Sequence, residues 1–191
     1  MKPIDVIIVG VGGQGVILIS EVIGRAAVMA GVPVRGAETH GMAQRGGSVV
    51  NHTRIGSKLS PMIAEGGADV LLALEPAEAL RFGHFLALGG VAIVNTAPVL
   101  PVTVTTGACA YPDIESLLAP LKRVGSVWSM NATALALQAG TSQAMNVVML
   151  GALSRYLPLS EGLLLDALKD VVPPKYMEVN LAAFRLGKAE V

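Results

Sequence analysis

The amino-acid sequence predicts an α/β fold: a Rossmann-like, doubly wound and mostly parallel sheet flanked by helices, with a helical C-terminal third. The first observation is an apolar run over residues 4–9 that ends in glycines and precedes a helical pattern over 14–30. The second is that further apolar runs of strand length, 70–74 and 91–95, alternate with helical patterns. Strands that alternate with helices are typical of a parallel sheet covered by helices.

The chain is predicted to open with a strand, a helix and a second strand. Val16, Ile19 and Ile23 recur at helical spacing, and Gly31 is predicted to end that helix before a strand over residues 32–35. The glycine-rich residues 36–47 are predicted to form a loop. Residues 48–55 alternate in polarity, which predicts a half-exposed strand.

The middle of the chain is predicted to hold two buried strands with a helix between them. Glu75 and Pro76 open this helix, and Gly89-Gly90 is expected to end it near residue 88. Residues 102–106 alternate and predict a short edge strand. The remaining predicted elements are a helix disturbed by Pro120, a strand, and four further helices, one of them capped by Ser160: 114–122, 124–130, 132–139, 145–156, 161–171 and 176–186.

Composition narrows the class of protein. No internal repeat or linker divides the 191 residues, so one domain spanning residues 1–191 is expected. Only 15% of the residues are charged, well below the usual quarter or so, and 52% are apolar. A large surface covered by a partner and a thick buried sheet explain this equally well. The net charge of zero predicts no nucleic-acid partner and no polybasic membrane patch.

The pattern of apolar residues predicts a cytoplasmic protein. Residues 125–154 carry no charge, but polar side chains interrupt them before the ~20 apolar residues that a membrane span needs. The N-terminus lacks the apolar region and cleavage site of a signal peptide. The single cysteine, Cys109, excludes an internal disulfide and a self-contained iron–sulfur cluster, which needs about four thiolates. Its expected place is the core.

A glycine fingerprint follows the first predicted strand. Gly10, Gly12 and Gly15 fit G-x-G-x-x-G, in which a tight turn brings the N-terminal amides of a helix to a pyrophosphate or another anion. Within it, Gly13 precedes Gln14, whose amide can donate to an anion or to a carbonyl of a partner. The alternative is that Gln14 only satisfies backbone groups of the turn.

The second predicted strand disfavours NAD. A dinucleotide fold needs an acid for the ribose hydroxyls about 20 residues after the fingerprint, and this strand ends in Arg35 instead. Arg35 can bind the phosphate of NADP or the 3′-phosphate of coenzyme A, or it can be an ordinary surface arginine.

The glycine-rich segment that follows supplies the other candidate binding residues. Glu38, His40, Gln44 and Arg45 can donate protons and pair with anions, as the residues of a ligand site do. An interface or structural loop is an equal alternative. Nothing resembles a nucleophile with its base, so no catalytic residue is assigned. His52 and His84 are isolated, and no metal site is predicted.

Two segments together carry a family resemblance: G-V-G-G-Q-G at 10–15 and E-T-H-G-M-A-Q-R-G-G-S at 38–48. With them the chain resembles the gamma subunit or domain of the pyruvate/ketoisovalerate/indolepyruvate:ferredoxin oxidoreductases, most of all the small (beta) subunit of the indolepyruvate enzymes. The resemblance spans essentially the whole chain. Supporting segments are 69–72, 75–76, 146–152 and 178–184.

The resemblance implies an accessory subunit of a thiamine diphosphate enzyme. Such enzymes decarboxylate a 2-oxoacid oxidatively, pass the acyl group to coenzyme A and send electrons through iron–sulfur clusters to ferredoxin. The sequence has no G-D-G…N motif for thiamine diphosphate and magnesium and no cysteines for clusters. The resemblance therefore places thiamine diphosphate, Mg²⁺ and [4Fe–4S] clusters on a large (alpha) partner subunit, with arylpyruvates as substrates.

The resemblance also assigns the candidate site. The glycine turn would form an anion-tolerant surface, and the following segment would face the path of coenzyme A or the partner subunit. The residues concerned are Gly10, Gly12, Gly13, Gln14, Gly15, Glu38, His40, Gln44 and Arg45. Two alternatives stay open: a free-standing NAD(P)-binding dehydrogenase and a purely structural scaffold subunit.

Overall fold

A computed structural model describes residues 2–41 and 46–191, and within them six strands form one sheet. The strands are β1 (Ile4–Val11), β2 (Val34–His40), β3 (Ser48–Ile55), β4 (Ala68–Ala73), β5 (Leu86–Asn95) and β6 (Ser126–Met130). The helices are α1 (Val16–Met29), α2 (Pro76–Arg81), α3 (Val102–Thr105), α4 (Ile114–Lys122), α5 (Ala132–Ala139), α6 (Met145–Leu153), α7 (Glu161–Val171) and α8 (Met177–Ala189).

The sheet is mixed, with the order β2-β3-β1-β4-β5-β6. Strands β1, β4, β5 and β6 are mutually parallel, whereas β3 runs antiparallel to both of its neighbours, β1 and β2. The predicted α/β fold is confirmed. The first two strands point the same way but are not neighbours, because β3 pairs with β1 from Ile4↔Ile55 to Val11↔Ser48 and separates them.

Helices cover both faces of the sheet, as a doubly wound fold requires. Alternate residues of β1 point to opposite faces. Val6 and Ile8 join the core formed with α1, α6, α7 and α8, whereas Ile7 and Val9 join a smaller core with α2 and α4. The sheet is therefore the middle layer of three.

The last part of the charge-free stretch forms the buried helix α6. Every residue of this helix is buried, and it packs against α8 through glycines on both helices. A Cβ added at Gly187 would lie 1.8 Å from the carbonyl oxygen of Val148, and one at Gly151 would lie 2.0 Å from that of Phe184. No helix among the described residues is long and apolar enough to cross a membrane.

Two predictions around the second strand were wrong. Residues 36–40 are not part of a loop, because β2 continues to His40 by pairing with β3 as far as His40↔Val49. Residues 48–55 do form a strand, but it is buried rather than half-exposed, because both of its faces are covered: Val49 and Ile55 lie in the larger core and Val50 in the smaller one.

Of the other predicted elements, some agree with the structure and some do not. The bounds of α4, α5 and α7 agree with the sequence, and the Ser160 hydroxyl accepts from the Leu163 N–H at 3.4 Å as the predicted cap. The helix opened by Pro76 ends at Arg81, and the strand that follows begins at Leu86, ahead of the glycines expected to end the helix. The predicted edge strand after Pro101 is the short helix α3.

Candidate functional site

The glycine turn between β1 and α1 has the conformation that its glycines permit. Gly13 and Gly15 have φ angles of 100° and 87°, a region that other residues rarely adopt. A Cβ at Gly10 would lie 2.8 Å from Gln14 Oε1 and 3.1 Å from the Cβ of Leu74. The fingerprint therefore forms a tight, Rossmann-like turn.

The Gln14 side chain braces this turn from inside. Its Oε1 accepts a hydrogen bond from the Val11 N–H at 2.7 Å, and its Nε2 donates to the Leu74 carbonyl at 3.1 Å. Both ends of the amide are thus bound to backbone at the ends of β1 and β4. These bonds match the alternative in which Gln14 satisfies backbone groups. A Gln14 amide that reaches out to an anion does not fit them.

The third fingerprint glycine lies against a helix that is distant in sequence. A Cβ at Gly15 would lie 2.1 Å from Nδ2 of Asn146, a buried residue at the start of α6. The absence of a side chain at Gly15 therefore lets α6 approach the start of α1. Sequence reasoning did not single out Asn146, because no local pattern links it to the turn.

The turn lies at the point where the sheet changes its winding direction. From β1 the chain passes through α1 on one face toward β2 and β3, and from β4 it passes through α2 on the other face toward β5. Ligands of open α/β sheets bind at the carboxyl ends of the two strands on either side of such a point. Here these are the ends of β1 and β4.

A cavity of about 550 Å³ opens beside the turn. The first N–H groups of a helix have no partner within it and carry partial positive charge, so the start of α1 can receive an anion. One amide of the turn is already engaged, because the Gly12 N–H donates to the Gly47 carbonyl at 2.8 Å. The lining residues are Val11, Gly12, Gly13, Gly15, Val16, Ile17, His40, Gly41 and Val49.

Glu38 and His40 lie on β2, not on a loop. They are two residues apart on the same face of the strand, and His40 Nε2 pairs with Glu38 Oε1. The imidazole is about half-exposed and lines the cavity, whereas Glu38 contacts the cavity only through it. The structure therefore gathers His40 and three of the predicted glycines, Gly12, Gly13 and Gly15, around one space.

The remaining candidates lie elsewhere. Gly10 and Gln14 shape the turn without lining the cavity. Gln44 and Arg45 lie outside the described residues. Arg35 is an exposed residue near the start of β2, opposite Arg54, about 17 Å along the strand from His40.

His52 is a structural residue. It is buried, its Nδ1 accepts from the Ile63 N–H at 3.1 Å, and its ring meets Phe85 edge-on at 5.2 Å. Burial, and then the Arg54 guanidinium, lower its pKa below 6.5. The described residues hold no cluster of three potential metal ligands. Cys109, expected in the core, is exposed.

Comparison with known proteins identifies the family. Residues 5–190 match the family described as pyruvate ferredoxin/flavodoxin oxidoreductase. The chain belongs to this family. It is 44% identical to the indolepyruvate oxidoreductase subunit IorB of Archaeoglobus fulgidus, over 96% of this chain and 93% of that protein.

Two solved structures have the same fold. The pyruvate oxidoreductase subunit PORC of Thermotoga maritima superimposes with a TM-score of 0.73 and 25% identity, covering 100% of this chain and 97% of that one. The 2-oxoglutarate:ferredoxin oxidoreductase of Magnetococcus marinus, solved with 2-oxoglutarate, coenzyme A and succinyl-CoA, gives a TM-score of 0.77 and 22% identity. This chain is covered to 99% there but matches 31% of the longer chain.

The predicted accessory subunit is confirmed. The chain is a small, gamma-type subunit of a ferredoxin oxidoreductase, and a larger catalytic partner is implied. The pyruvate ferredoxin/flavodoxin oxidoreductase family belongs to the thiamine diphosphate and iron–sulfur oxidoreductases.

Proposed function

We propose that this chain is the gamma-type subunit of an indolepyruvate-type enzyme and that its glycine-turn cavity receives the phosphates of coenzyme A. Thiamine diphosphate, Mg²⁺ and the [4Fe–4S] clusters would sit on the large subunit, which passes electrons to ferredoxin. The identity of 44% with an indolepyruvate oxidoreductase subunit supports the choice of arylpyruvates.

The cavity beside the glycine turn carries the coenzyme A assignment. Coenzyme A brings a diphosphate, and the open start of α1 at Gly13 and Gly15 offers amides and a positive dipole end to such an anion. Val16, Ile17 and Val49 give the same cavity an apolar wall against which the pantetheine arm can pack. Bound coenzyme A would supply the thiol that takes up the acyl group.

His40 would act as a ligand donor rather than as a catalyst. Its Nε2 pairs with Glu38, so a protonated imidazole can present Nδ1–H to a phosphate while Glu38 balances its charge. In the part of the chain that the structure describes, no serine, threonine, cysteine or lysine side chain lines the cavity, so the acyl transfer itself would depend on groups of the partner. The contribution of this chain is to hold and orient the ligand.

A dinucleotide dehydrogenase fits the sheet less well. In the dinucleotide-binding fold, an aspartate or glutamate at the end of the strand beside β1 accepts hydrogen bonds from the ribose hydroxyls. That place belongs here to β3, which runs in the opposite direction and brings Ser48 beside Val11. Among the described residues, Ser48 rather than an acid therefore lies where the fold would supply the acid for the adenosine ribose.

Gly13 allows a charge-specific test of coenzyme A binding. A Cβ at Gly13 meets nothing within 4 Å, so Gly13→Asp and Gly13→Asn share the same backbone strain and differ mainly in charge. In the assembled enzyme, KM for coenzyme A should be about tenfold or more higher in the aspartate variant than in the asparagine variant. The reason is that the aspartate places a carboxylate beside the proposed binding place of the coenzyme A phosphates. KM for the 2-oxoacid and kcat at saturating coenzyme A should match between the two.

Equal coenzyme A constants for the two variants would favour the scaffold alternative. The substrate part has its own test in the same preparation: ferredoxin reduction with indolepyruvate and phenylpyruvate, compared with pyruvate and 2-oxoglutarate. A preference for either of the last two would overturn the indolepyruvate assignment and leave the family assignment intact.

A further inference from the structure

Glu78, a buried acidic residue of α2, bonds to the first residue of β3 near the cavity. Its side chain is about 7% exposed, and a carboxylate is costly to bury unless partners compensate it. One oxygen accepts from the Ser48 hydroxyl, and the other pairs with Arg81 Nε at 3.2 Å. Ser48 begins β3, next to the glycine-rich segment.

The chain at the start of β3 also bonds to the glycine turn and to the residue after β2. The Gly47 carbonyl accepts from the Gly12 N–H at 2.8 Å, and the Ser48 carbonyl accepts from the Gly41 N–H at 2.9 Å. Two consecutive residues, Gly47 and Ser48, are thus bonded to the turn, to the end of β2 and to Glu78. A movement of Ser48 would change the wall of the cavity at Gly12 and Gly41 together.

Glu78 is itself fixed in place. Its N–H donates to Glu75 Oε2 at 3.0 Å, and Glu75 is the cap of α2. The other oxygen of Glu75 accepts from the Tyr111 hydroxyl and from the Val99 N–H at 3.3 Å. The acceptor that holds Ser48 therefore belongs to a cross-linked part of the fold.

From these contacts we propose that Glu78 is a positioning residue that, through Ser48, holds the Gly47 carbonyl on the glycine turn and so maintains the ligand-accepting shape of the cavity. That the ligand is coenzyme A rests on the proposed function, whereas the positioning of the Gly12–Gly47 bond by Glu78 rests on the contacts alone. The two can be tested separately.

Hydrogen exchange of the full-length chain tests the positioning directly. Ser48→Ala removes the hydroxyl that donates to a charged carboxylate, so exchange of the Gly12 amide should accelerate about tenfold or more. Exchange at Leu72 should stay unchanged. Leu72 lies in the central strand β4, whose amides exchange through global unfolding, whereas loss of the Gly12–Gly47 bond is a local opening. Ser48→Thr keeps the hydroxyl and should restore slow exchange.

Arg81→Ala is the matched control because it removes the other, mostly exposed partner of the same carboxylate. Its Gly12 exchange should stay at the wild-type rate, because the Ser48 hydroxyl still donates to the other carboxylate oxygen of Glu78. Unchanged Gly12 exchange in Ser48→Ala, or acceleration equal to that at Leu72, would overturn the proposal.

The assembled enzyme then tests the link to the ligand. Ser48→Ala should raise KM for coenzyme A several-fold, leave kcat at saturating coenzyme A unchanged, and be rescued by Ser48→Thr. Faster Gly12 exchange with an unchanged KM for coenzyme A would refute an effect of this positioning on coenzyme A binding, while it would support the positioning itself. The role of the cavity in the proposed function is decided separately by the Gly13→Asp and Gly13→Asn pair.

Discussion

Replacing Gly15 by alanine should destabilise the chain in two separable ways. The first is conformational: at φ 87° an L side chain costs about 1–2 kcal/mol. The second is steric, because the new Cβ would lie 2.1 Å from Asn146 Nδ2, and forced overpacking costs about 1–3 kcal/mol. The expected loss in the free energy of unfolding is therefore about 2–5 kcal/mol.

Gly13 supplies the matched control. It has a similar φ of 100°, but a Cβ there meets nothing within 4 Å, so Gly13→Ala should cost only the conformational part, about 1–2 kcal/mol. Asn146→Ala should remove most of the steric part, because it deletes the amide and leaves only the Cβ of residue 146, at 3.2 Å. In that background Gly15→Ala should cost about as much as Gly13→Ala, and the double-mutant cycle should show the difference as a coupling energy.

Urea unfolding of the full-length chain, followed by the fluorescence of Trp128 and by circular dichroism, measures these free energies. A Gly15→Ala variant that loses no more stability than Gly13→Ala would refute the packing argument. So would a loss that persists unchanged when Asn146 is alanine.

Four further variants test the structure by the same measurement. Gly187→Ala should lose about 1–3 kcal/mol or more against the α6 backbone, whereas Gly24→Ala, with open space around it, should gain about 0.5–1 kcal/mol; equal effects would contradict the helix contact. Tyr111→Phe should cost about 1–3 kcal/mol, because Glu75 and the Ala77 N–H lose a buried partner, and a neutral effect would refute that bond. The pKa of His52 is lower in the folded state than its unfolded value of 6.5, so the unfolded state binds more protons near that pH. The free energy of unfolding should therefore fall as the pH drops through 6.5, by at most about 1.4 kcal/mol per pH unit. His52→Asn should flatten that part of the profile, and an unaltered slope would contradict the assignment.

Features fixed by neighbouring residues could be predicted from the sequence. The turn after β1 follows from three glycines between an apolar strand and a helical pattern, and α7 follows from its serine cap and its spacing. Features fixed by contacts between distant segments could not. Nothing near Gly15 indicates Asn146, and nothing near Ser48 indicates Glu78.

The extent of β2 shows how sheet neighbours override local preference. Gly36, Ala37 and Glu38 are poor strand formers, so the sequence favours a loop. Pairing with β3 compensates, since each residue from Val34 to His40 has a partner on that strand. The result converts two predicted loop residues, Glu38 and His40, into strand residues that share one face.

The same hairpin explains why the glycine fingerprint predicts a turn but not its ligand. Strand β3 pairs antiparallel with β1, and the Gly47 carbonyl just before it accepts a hydrogen bond from the Gly12 N–H. In a dinucleotide-binding fold, the acid that binds the ribose hydroxyls would lie at this end of the sheet. A signal for this was available: a short glycine-rich segment joins β2 to a strand of alternating polarity, which favours an antiparallel hairpin over a helical crossover. Once the pair is antiparallel, the end of β2 is one strand further from the turn, and what reaches the turn is the segment before Ser48. The strand beside β1, rather than the number of glycines, therefore decides which ligand the motif can serve.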